Sequence, residues 1–131
     1  MSLTKATPEV IDIPKVSIAL AQDAVVGGIK KYVDANNYNY FVQSAAATAK
    51  HKDFLFVDTS GGAFTINLPT APALGDEVVF NDVAGQFATN SLTIGRNGQN
   101  IMGLAENMIV DEAFATFRLV FSNATHGWRI V

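Results

Sequence analysis

Residues 54–69 decide the predicted fold, and their sequence is Phe-Leu-Phe-Val-Asp-Thr-Ser-Gly-Gly-Ala-Phe-Thr-Ile-Asn-Leu-Pro. A continuous apolar run comes first, a polar turn with two glycines follows, and a segment of alternating apolar and polar residues ends at proline. Short runs of this kind, bounded by turn-forming residues, are typical of β-strands. We therefore predict two short strands joined by a hairpin turn at residues 58–62.

The same pattern continues to the C-terminus. Further apolar or alternating runs occupy residues 77–81, 92–94, 108–110, 114–121 and 128–131. Turn signals recur roughly every 8–12 residues, including a predicted hairpin turn at residues 123–127, and this spacing is typical of β-sandwiches and small barrels. No helical pattern interrupts the strands, so a parallel βαβ sheet is not expected. We predict a mainly β fold, with a small antiparallel β-sandwich or barrel over residues 51–131.

Two of these strands, at residues 54–57 and 78–80, are apolar on both faces. Successive side chains of a strand point to opposite sides of the sheet, so such a strand offers a second apolar face besides the one in the core. In a thin β module we expect this second face to pack against a symmetry-related copy of the chain.

The N-terminal part differs in composition. All six lysines lie in residues 1–52, whereas all three arginines lie in residues 53–131. Two early prolines predict an extended start. The alternation of Val16, Ile18 and Leu20 fits a short strand, and residues 18–34 alternatively fit a helix. We predict that residues 1–50 form an extended or helical segment for attachment or oligomerisation.

Composition excludes several classes of function. The chain has 131 residues, no cysteine and a formal net charge of −3. Without cysteine there is no disulfide framework, thiolate zinc site or thiol nucleophile. A net negative charge argues against nucleic acid as a partner. No apolar run approaches the roughly 18 residues of a membrane span, so membrane insertion is not expected. The first residues also lack the pattern of a signal peptide.

Candidate catalytic groups are sparse. The Asp-Thr-Ser-Gly-Gly string at residues 58–62 matches neither of the two protease signatures that it resembles, and His51 and His126 are the only imidazole bases. His51 and Asp53 alone leave a metal site short of ligands. We predict no enzyme activity, no metal and no cofactor. A hydrolase that uses Asp58, Asp76 or Asp111 is a remaining alternative.

Two polar or aromatic clusters are candidates for recognition. One combines aromatic rings with neighbouring asparagines at residues 36–41, and the other is the polar turn at residues 96–100. Aromatic faces beside amide donors suit sugar rings or protein contacts, although core packing or a subunit interface explains them equally well. The candidate ligand or interface contacts are Tyr38, Tyr40, Phe41, Asn97, Gln99 and Asn100.

Several strings resemble proteins of bacteriophage particles. Residues 1–7 followed by 10–12 resemble the opening of tail-fibre and tailspike proteins. Residues 54–131 are similar to modules of phage fibres and other virion proteins. The matching strings are residues 56–59, 66–69, 75–82 and 90–94, with Trp128 near the end. Residues 13–53 do not resemble the glycine-rich start of a tailspike β-helix. A depolymerase activity is therefore not implied.

The resemblance implies a non-enzymatic structural protein located in the virion, on the tail or on the capsid surface. Members of this kind are usually homotrimers, and their N-terminal segment attaches them to other virion proteins. The candidate anchor residues are Leu3, Val10, Ile11 and Ile13. A short fibre or adaptor is the leading expectation, a capsid decoration protein is an alternative, and a carbohydrate-binding module that recognises a host surface glycan is another.

Overall fold

The computed structural model describes residues 37–131. The compact unit within this range spans Tyr38–Val131. It includes residues 38–50, which were predicted to belong to the N-terminal segment. The anchor candidates Leu3, Val10, Ile11 and Ile13, and the strand or helix considered for residues 16–34, lie outside the described residues.

The described residues form nine strands and contain no helix, so the mainly β prediction is confirmed for this part of the chain. The bounds are β1 Asn39–Gln43, β2 Ala47–Thr48, β3 Asp53–Val57, β4 Phe64–Asn67, β5 Glu77–Asp82, β6 Leu92–Gly95, β7 Met108–Val110, β8 Thr116–Phe121 and β9 Trp128–Ile130.

The strands form two mixed sheets. A five-stranded sheet has the order β9-β8-β5-β3-β1, and a four-stranded sheet has the order β2-β4-β6-β7. Within the first sheet β1, β3 and β5 run parallel, and within the second β2, β4 and β6 do so. The antiparallel pairing expected from the sequence is confined to the strand pairs β6–β7, β5–β8 and β8–β9.

The path of the chain explains the parallel pairs. Each of the first five strands is followed by a strand of the other sheet, so up to β6 the chain returns to a given sheet in the same direction. The hairpin predicted at residues 58–62 is therefore wrong, because this turn carries the chain from β3 to β4 in the opposite sheet. The hairpin predicted at residues 123–127 is confirmed, since it joins the antiparallel neighbours β8 and β9.

One hydrophobic cluster draws side chains from both sheets. Leu55, Val57 and Phe80 come from the five-stranded sheet, and Ile66 and Ile94 come from the four-stranded sheet. Each fully buried side chain of this size contributes about 1.5–3 kcal/mol relative to its exposed state. The burial alternates along β3, where Asp53, Leu55 and Val57 are buried and the residues between them are half-buried.

Asp82, at the end of β5, fixes two loops on this core. Its carboxylate is almost fully buried and accepts backbone N–H bonds from Gln86 at 3.1 Å, Phe87 at 3.0 Å and Phe114 at 2.9 Å. The Phe114 ring lies directly over Gly85, where a Cβ atom would clash with the ring. The charge is therefore satisfied by three backbone donors, which join residues 83–87 to residues near 114.

Candidate functional site

The outer face of the five-stranded sheet is the main candidate for a site. In the parallel register Tyr40 pairs with Phe54, and Val42 pairs with Phe56. Because Leu55 on β3 points into the core, its neighbours Phe54 and Phe56 point to the opposite side. We use the term outer face for this side of the five-stranded sheet, away from the core.

Four rings on the outer face form what we call the aromatic cluster: Tyr38, Tyr40, Phe54 and Phe56. The ring centroids of Tyr40 and Phe54 are 5.1 Å apart, those of Phe54 and Phe56 are 5.0 Å apart, and those of Tyr38 and Phe54 are 5.8 Å apart. Contacts in this range add about 0.5–1.5 kcal/mol each beyond the area that they bury. The cluster supports the β1–β3 pair, yet Tyr40 is still 63% exposed.

A charged group, which we call the Glu77 network, borders the aromatic cluster. The Glu77 carboxylate accepts the hydroxyl of Tyr38 at 2.5 Å and the ammonium of Lys52 at 2.8 Å, and a guanidinium nitrogen of Arg118 lies 3.6 Å away. The Lys52 nitrogen also lies 4.7 Å from the centre of the Tyr38 ring. Glu77 thus connects the two cations to Tyr38, which lies at the edge of the aromatic cluster.

The network sets the ionisation of Glu77. Burial opposes the charged form, but the hydrogen bonds from Lys52 and Tyr38, together with the charges of Lys52 and Arg118, outweigh it. The pKa of Glu77 is therefore lowered from its ordinary value of 4.5. A carboxylate held ionised between two cations is a poor proton donor at neutral pH. The arrangement suits a fixed set of hydrogen bonds better than general acid catalysis.

His51 and Asp53 serve different structural roles. The Nδ1 atom of His51 accepts the backbone N–H of Glu77 at 3.0 Å, so this nitrogen carries no proton in that bond. Its 3.6 Å approach to Asp76 is therefore not an ion pair in this state. Asp53 is buried and accepts the backbone N–H of Lys50, and burial raises the pKa of Asp53. Within residues 37–131 no group of three His, Asp or Glu side chains is placed to hold a metal ion.

Two of the acids considered for hydrolysis, Asp58 and Asp76, bond to their own turns. Asp58 accepts the backbone N–H of Ser60 at 2.9 Å and its hydroxyl at 2.5 Å, and these bonds lower the pKa of Asp58. Asp76 accepts the backbone N–H of Ala73 at 2.9 Å. Ser60 is thus held by an acid of its own turn, not by a histidine base.

The structure separates the residues that the sequence proposed as contacts. Tyr38 and Tyr40 belong to the aromatic cluster, whereas Phe41 lies on the other face of β1. There it lines a cleft of about 190 Å³ with Gln43, Thr48 and Leu55, and it is 50% exposed.

The polar turn at residues 96–100 serves to hold neighbouring loops. Asn97 donates to the carbonyl of Leu68 at 2.8 Å, and Asn100 donates to the carbonyl of Thr125 at 3.1 Å. The carbonyl of Gln99 accepts the guanidinium of Arg96 at 2.8 Å. Among residues 37–131 no hydrogen bond links this turn to the aromatic cluster.

Several residues of the site were not among the sequence candidates, namely Lys52, Phe54, Phe56, Glu77 and Arg118. Phe54 and Phe56 carried a usable signal, since their strand is apolar on both faces. The Glu77 network had none, because Lys52, Tyr38 and Arg118 lie 25 or more positions from Glu77 in the sequence and reach it only through the pairing of the strands.

Comparisons of the chain with protein-family models and with curated protein sequences found no match. Among residues 37–131, no helix has the length and apolar character needed to cross a membrane.

Proposed function

We propose that the chain is a non-enzymatic structural protein of a bacteriophage particle, a trimeric fibre or adaptor component that attaches through its N-terminal segment. Its C-terminal module is a β-sandwich built on the two mixed sheets. The observation that carries the proposal is the apolar outer face of β1 and β3, where Tyr40 is 63% exposed and Val42 is 72% exposed.

Packing against another copy would remove this face from water. Burial of apolar surface is favourable by about 25 cal/mol per Å², so clustered side chains such as Tyr40, Val42, Phe54 and Phe56 favour association. Large exposed apolar patches on soluble proteins commonly mark interaction surfaces. In a trimer each copy would offer this face to a different surface of its neighbour, which gives a closed ring.

The Glu77 network suits the rim of such an interface. Charges are depleted at interface centres and are tolerated at their edges. Glu77 already lies between Lys52 and Arg118, so partial loss of water there would leave its carboxylate with cationic partners. The aromatic centre and the paired rim together support a subunit contact.

The assignment to a phage particle depends on the sequence resemblance. Two of the matching strings, residues 56–59 and 66–69, include the ends of β3 and β4. These strands are consecutive in the sequence and lie in different sheets. The proposal that the protein is not an enzyme is supported by the hydrogen bonds of Asp58 and Asp76, because both carboxylates stabilise their own turns. A capsid decoration protein fits the same features, and a map of the particle would separate the two locations.

Assembly through the outer face is tested with a matched pair of variants, measured by size-exclusion chromatography with light scattering. Val42→Asp places a charge on the outer face, whereas Ile109→Asp places one on β7 in the other sheet, where the side chain is 56% exposed. We expect Val42→Asp to dissociate the trimer at low micromolar protein and Ile109→Asp to leave it intact. Equal behaviour of the two variants would contradict the proposed interface.

A carbohydrate-binding function is a second candidate, favoured by the exposed ring of Tyr40 in the aromatic cluster, beside fixed hydrogen-bonding groups. Sugars are recognised by aromatic faces combined with polar contacts. The test is a glycan array with the wild-type chain and Tyr40→Ala. Reproducible binding that is lost in the variant supports this function, and the lack of any reproducible binding removes it.

A further inference from the structure

The inner side of β1 borders a cleft that the proposed subunit contact does not use. This cleft, which we call the Phe41 cleft, has a volume of about 190 Å³ and is lined by residues of β1, β2 and β3 and of the segment that follows β2. The lining residues that matter for its chemistry are Phe41, Gln43, Thr48, Lys50, Asp53 and Leu55. Because neighbours on a strand point to opposite sides of the sheet, the cleft opens away from the aromatic cluster.

The Phe41 cleft has an apolar wall. Leu55 is buried, whereas Phe41 is 50% exposed although it belongs to a strand of the sheet. An aromatic side chain that keeps half of its surface open beside a cleft offers that surface to the apolar face of a ligand. Covering it would remove apolar area from water, which is favourable by about 25 cal/mol per Å².

Asp53 places a nearly buried carboxylate in the same cleft. The residue is 7% exposed, and its Oδ2 atom accepts the backbone N–H of Lys50 at 2.8 Å. No hydrogen bond from residues 37–131 reaches its other oxygen, Oδ1. A poorly solvated carboxylate oxygen is unfavourable without a donor, so Asp53 favours a ligand that donates a hydrogen bond.

Two uncharged polar side chains complete the lining. The amide nitrogen of Gln43 donates to the carbonyl of Ala45 at 2.7 Å, which fixes this side chain and leaves its oxygen as an acceptor. The hydroxyl of Thr48 both donates and accepts. The cleft thus combines one apolar wall with several hydrogen-bonding groups of both kinds, which is the usual composition of a small-molecule site.

The charged groups of the Phe41 cleft are one acid and one base. Burial raises the pKa of Asp53, while the backbone N–H and the charge of Lys50 act in the opposite direction. A charged ligand would be attracted by one of these two residues and repelled by the other. A neutral ligand with hydroxyl groups avoids this repulsion, because a hydroxyl donates to a carboxylate and accepts from an ammonium group equally well.

We infer that the Phe41 cleft binds one pyranose unit of a neutral saccharide. The C–H face of the ring packs against Phe41 and Leu55. Its hydroxyl groups donate to Asp53 and Gln43 and accept from Lys50. Clefts that hold drug-sized ligands measure about 300–1,000 Å³, so the smaller Phe41 cleft takes a single ring. The inference does not rest on the trimer, and it uses a different surface from the aromatic cluster.

The test is an NMR titration of the isotope-labelled full chain with the methyl glycosides of glucose, galactose and mannose, at the millimolar concentrations that suit a single ring. We expect at least one glycoside to give saturable shifts of the amide signals of Phe41, Ala49 and Lys50. Methyl glucuronide, which adds a carboxylate to the glucoside, should bind more weakly than the neutral glycosides, because it brings a second negative charge near Asp53.

Two neighbouring residues provide matched variants. Phe41→Ala removes the apolar wall and should weaken binding at least about tenfold. Tyr40→Ala changes the next residue of the same strand, on the outer face, and should bind as the wild type does. Asp53→Asn keeps the size of the side chain and an acceptor for Lys50, so it should fold, which its amide spectrum checks, and should bind more weakly.

Four results would overturn the inference: no saturable shift with any of the three glycosides, unchanged affinity in Phe41→Ala, tighter binding of the glucuronide, or binding that is lost in Tyr40→Ala and kept in Phe41→Ala. The last result would support saccharide binding on the aromatic cluster. The mass of the assembly is measured on the same samples. A trimer that binds no glycoside overturns this inference alone, whereas a monomer that binds through the Phe41 cleft contradicts the proposed trimer alone.

Discussion

At the scale of single residues, the acids of this chain act mainly as acceptors for its own backbone and side chains. Asp58 and Asp76 bond within turns, Asp82 joins two loops, and Glu77 joins two cations to a tyrosine. The sequence shows which residues are acidic and near turns, but it does not show which backbone N–H groups will face them. These roles depend on positions that are distant in the chain.

Asp82→Ala should destabilise the protein strongly, because it leaves three backbone N–H groups without their acceptor in a largely buried place. Each unsatisfied buried donor costs about 1–3 kcal/mol, so we expect a loss of about 3 kcal/mol or more in the free energy of unfolding. Asp82→Asn keeps one oxygen and should lose less. Urea denaturation measures both, with the exposed Asp111→Ala as the control. A loss below about 0.5 kcal/mol in Asp82→Ala would contradict this role.

The lowered pKa of Glu77 predicts a pH-dependent contribution to stability. Because the folded state holds the carboxyl ionised, its contribution is complete above the ordinary value of 4.5 and is lost as the pH falls through the lowered folded pKa. Glu77→Gln should therefore cost about 1–2 kcal/mol at neutral pH and progressively less in acid. Urea denaturation of both proteins across this pH range measures the difference, and a difference that does not change with pH would refute the explanation.

At the scale of strands and turns, the sequence predicts the existence of the elements better than their partners. The strands at residues 54–57 and 64–67 were predictable from apolar runs and turn residues. Their assignment to opposite sheets was not, since a tight hairpin and a crossing between sheets use the same turn residues. The parallel pairs β1–β3 and β2–β4 follow from this crossing and therefore could not be predicted either.

Two glycines with similar backbone angles test how the β8–β9 turn packs. Gly127 has φ +70° and a Cβ atom there would clash with the carbonyl oxygen of Asn100, whereas Gly98 has φ +90° and open space around it. Gly98→Ala should cost about 1–2 kcal/mol through backbone strain alone. Gly127→Ala should cost clearly more, because the contact with Asn100 adds to the same strain. Thermal or urea unfolding compares them, and equal losses would contradict the predicted contact.

At the scale of the whole molecule, a strand that is apolar on both faces predicts an interface between copies of the chain. Phe54 and Phe56 do face outward, as the alternation in their strand implies, and Tyr38 and Tyr40 join them across the β1–β3 pair. Asn97, Gln99 and Asn100 share their polar composition with binding sites but serve a turn elsewhere. Composition alone did not distinguish these cases, because it does not show which distant residues the fold places beside each side chain.

The central claim is that the outer face of the five-stranded sheet is buried between copies in a trimer. Native mass spectrometry of the full chain at low micromolar concentration tests it most directly. The account predicts that the trimer is the dominant species, and that Val42→Asp shifts it to monomer while Ile109→Asp does not. A stable wild-type monomer under these conditions would contradict the account.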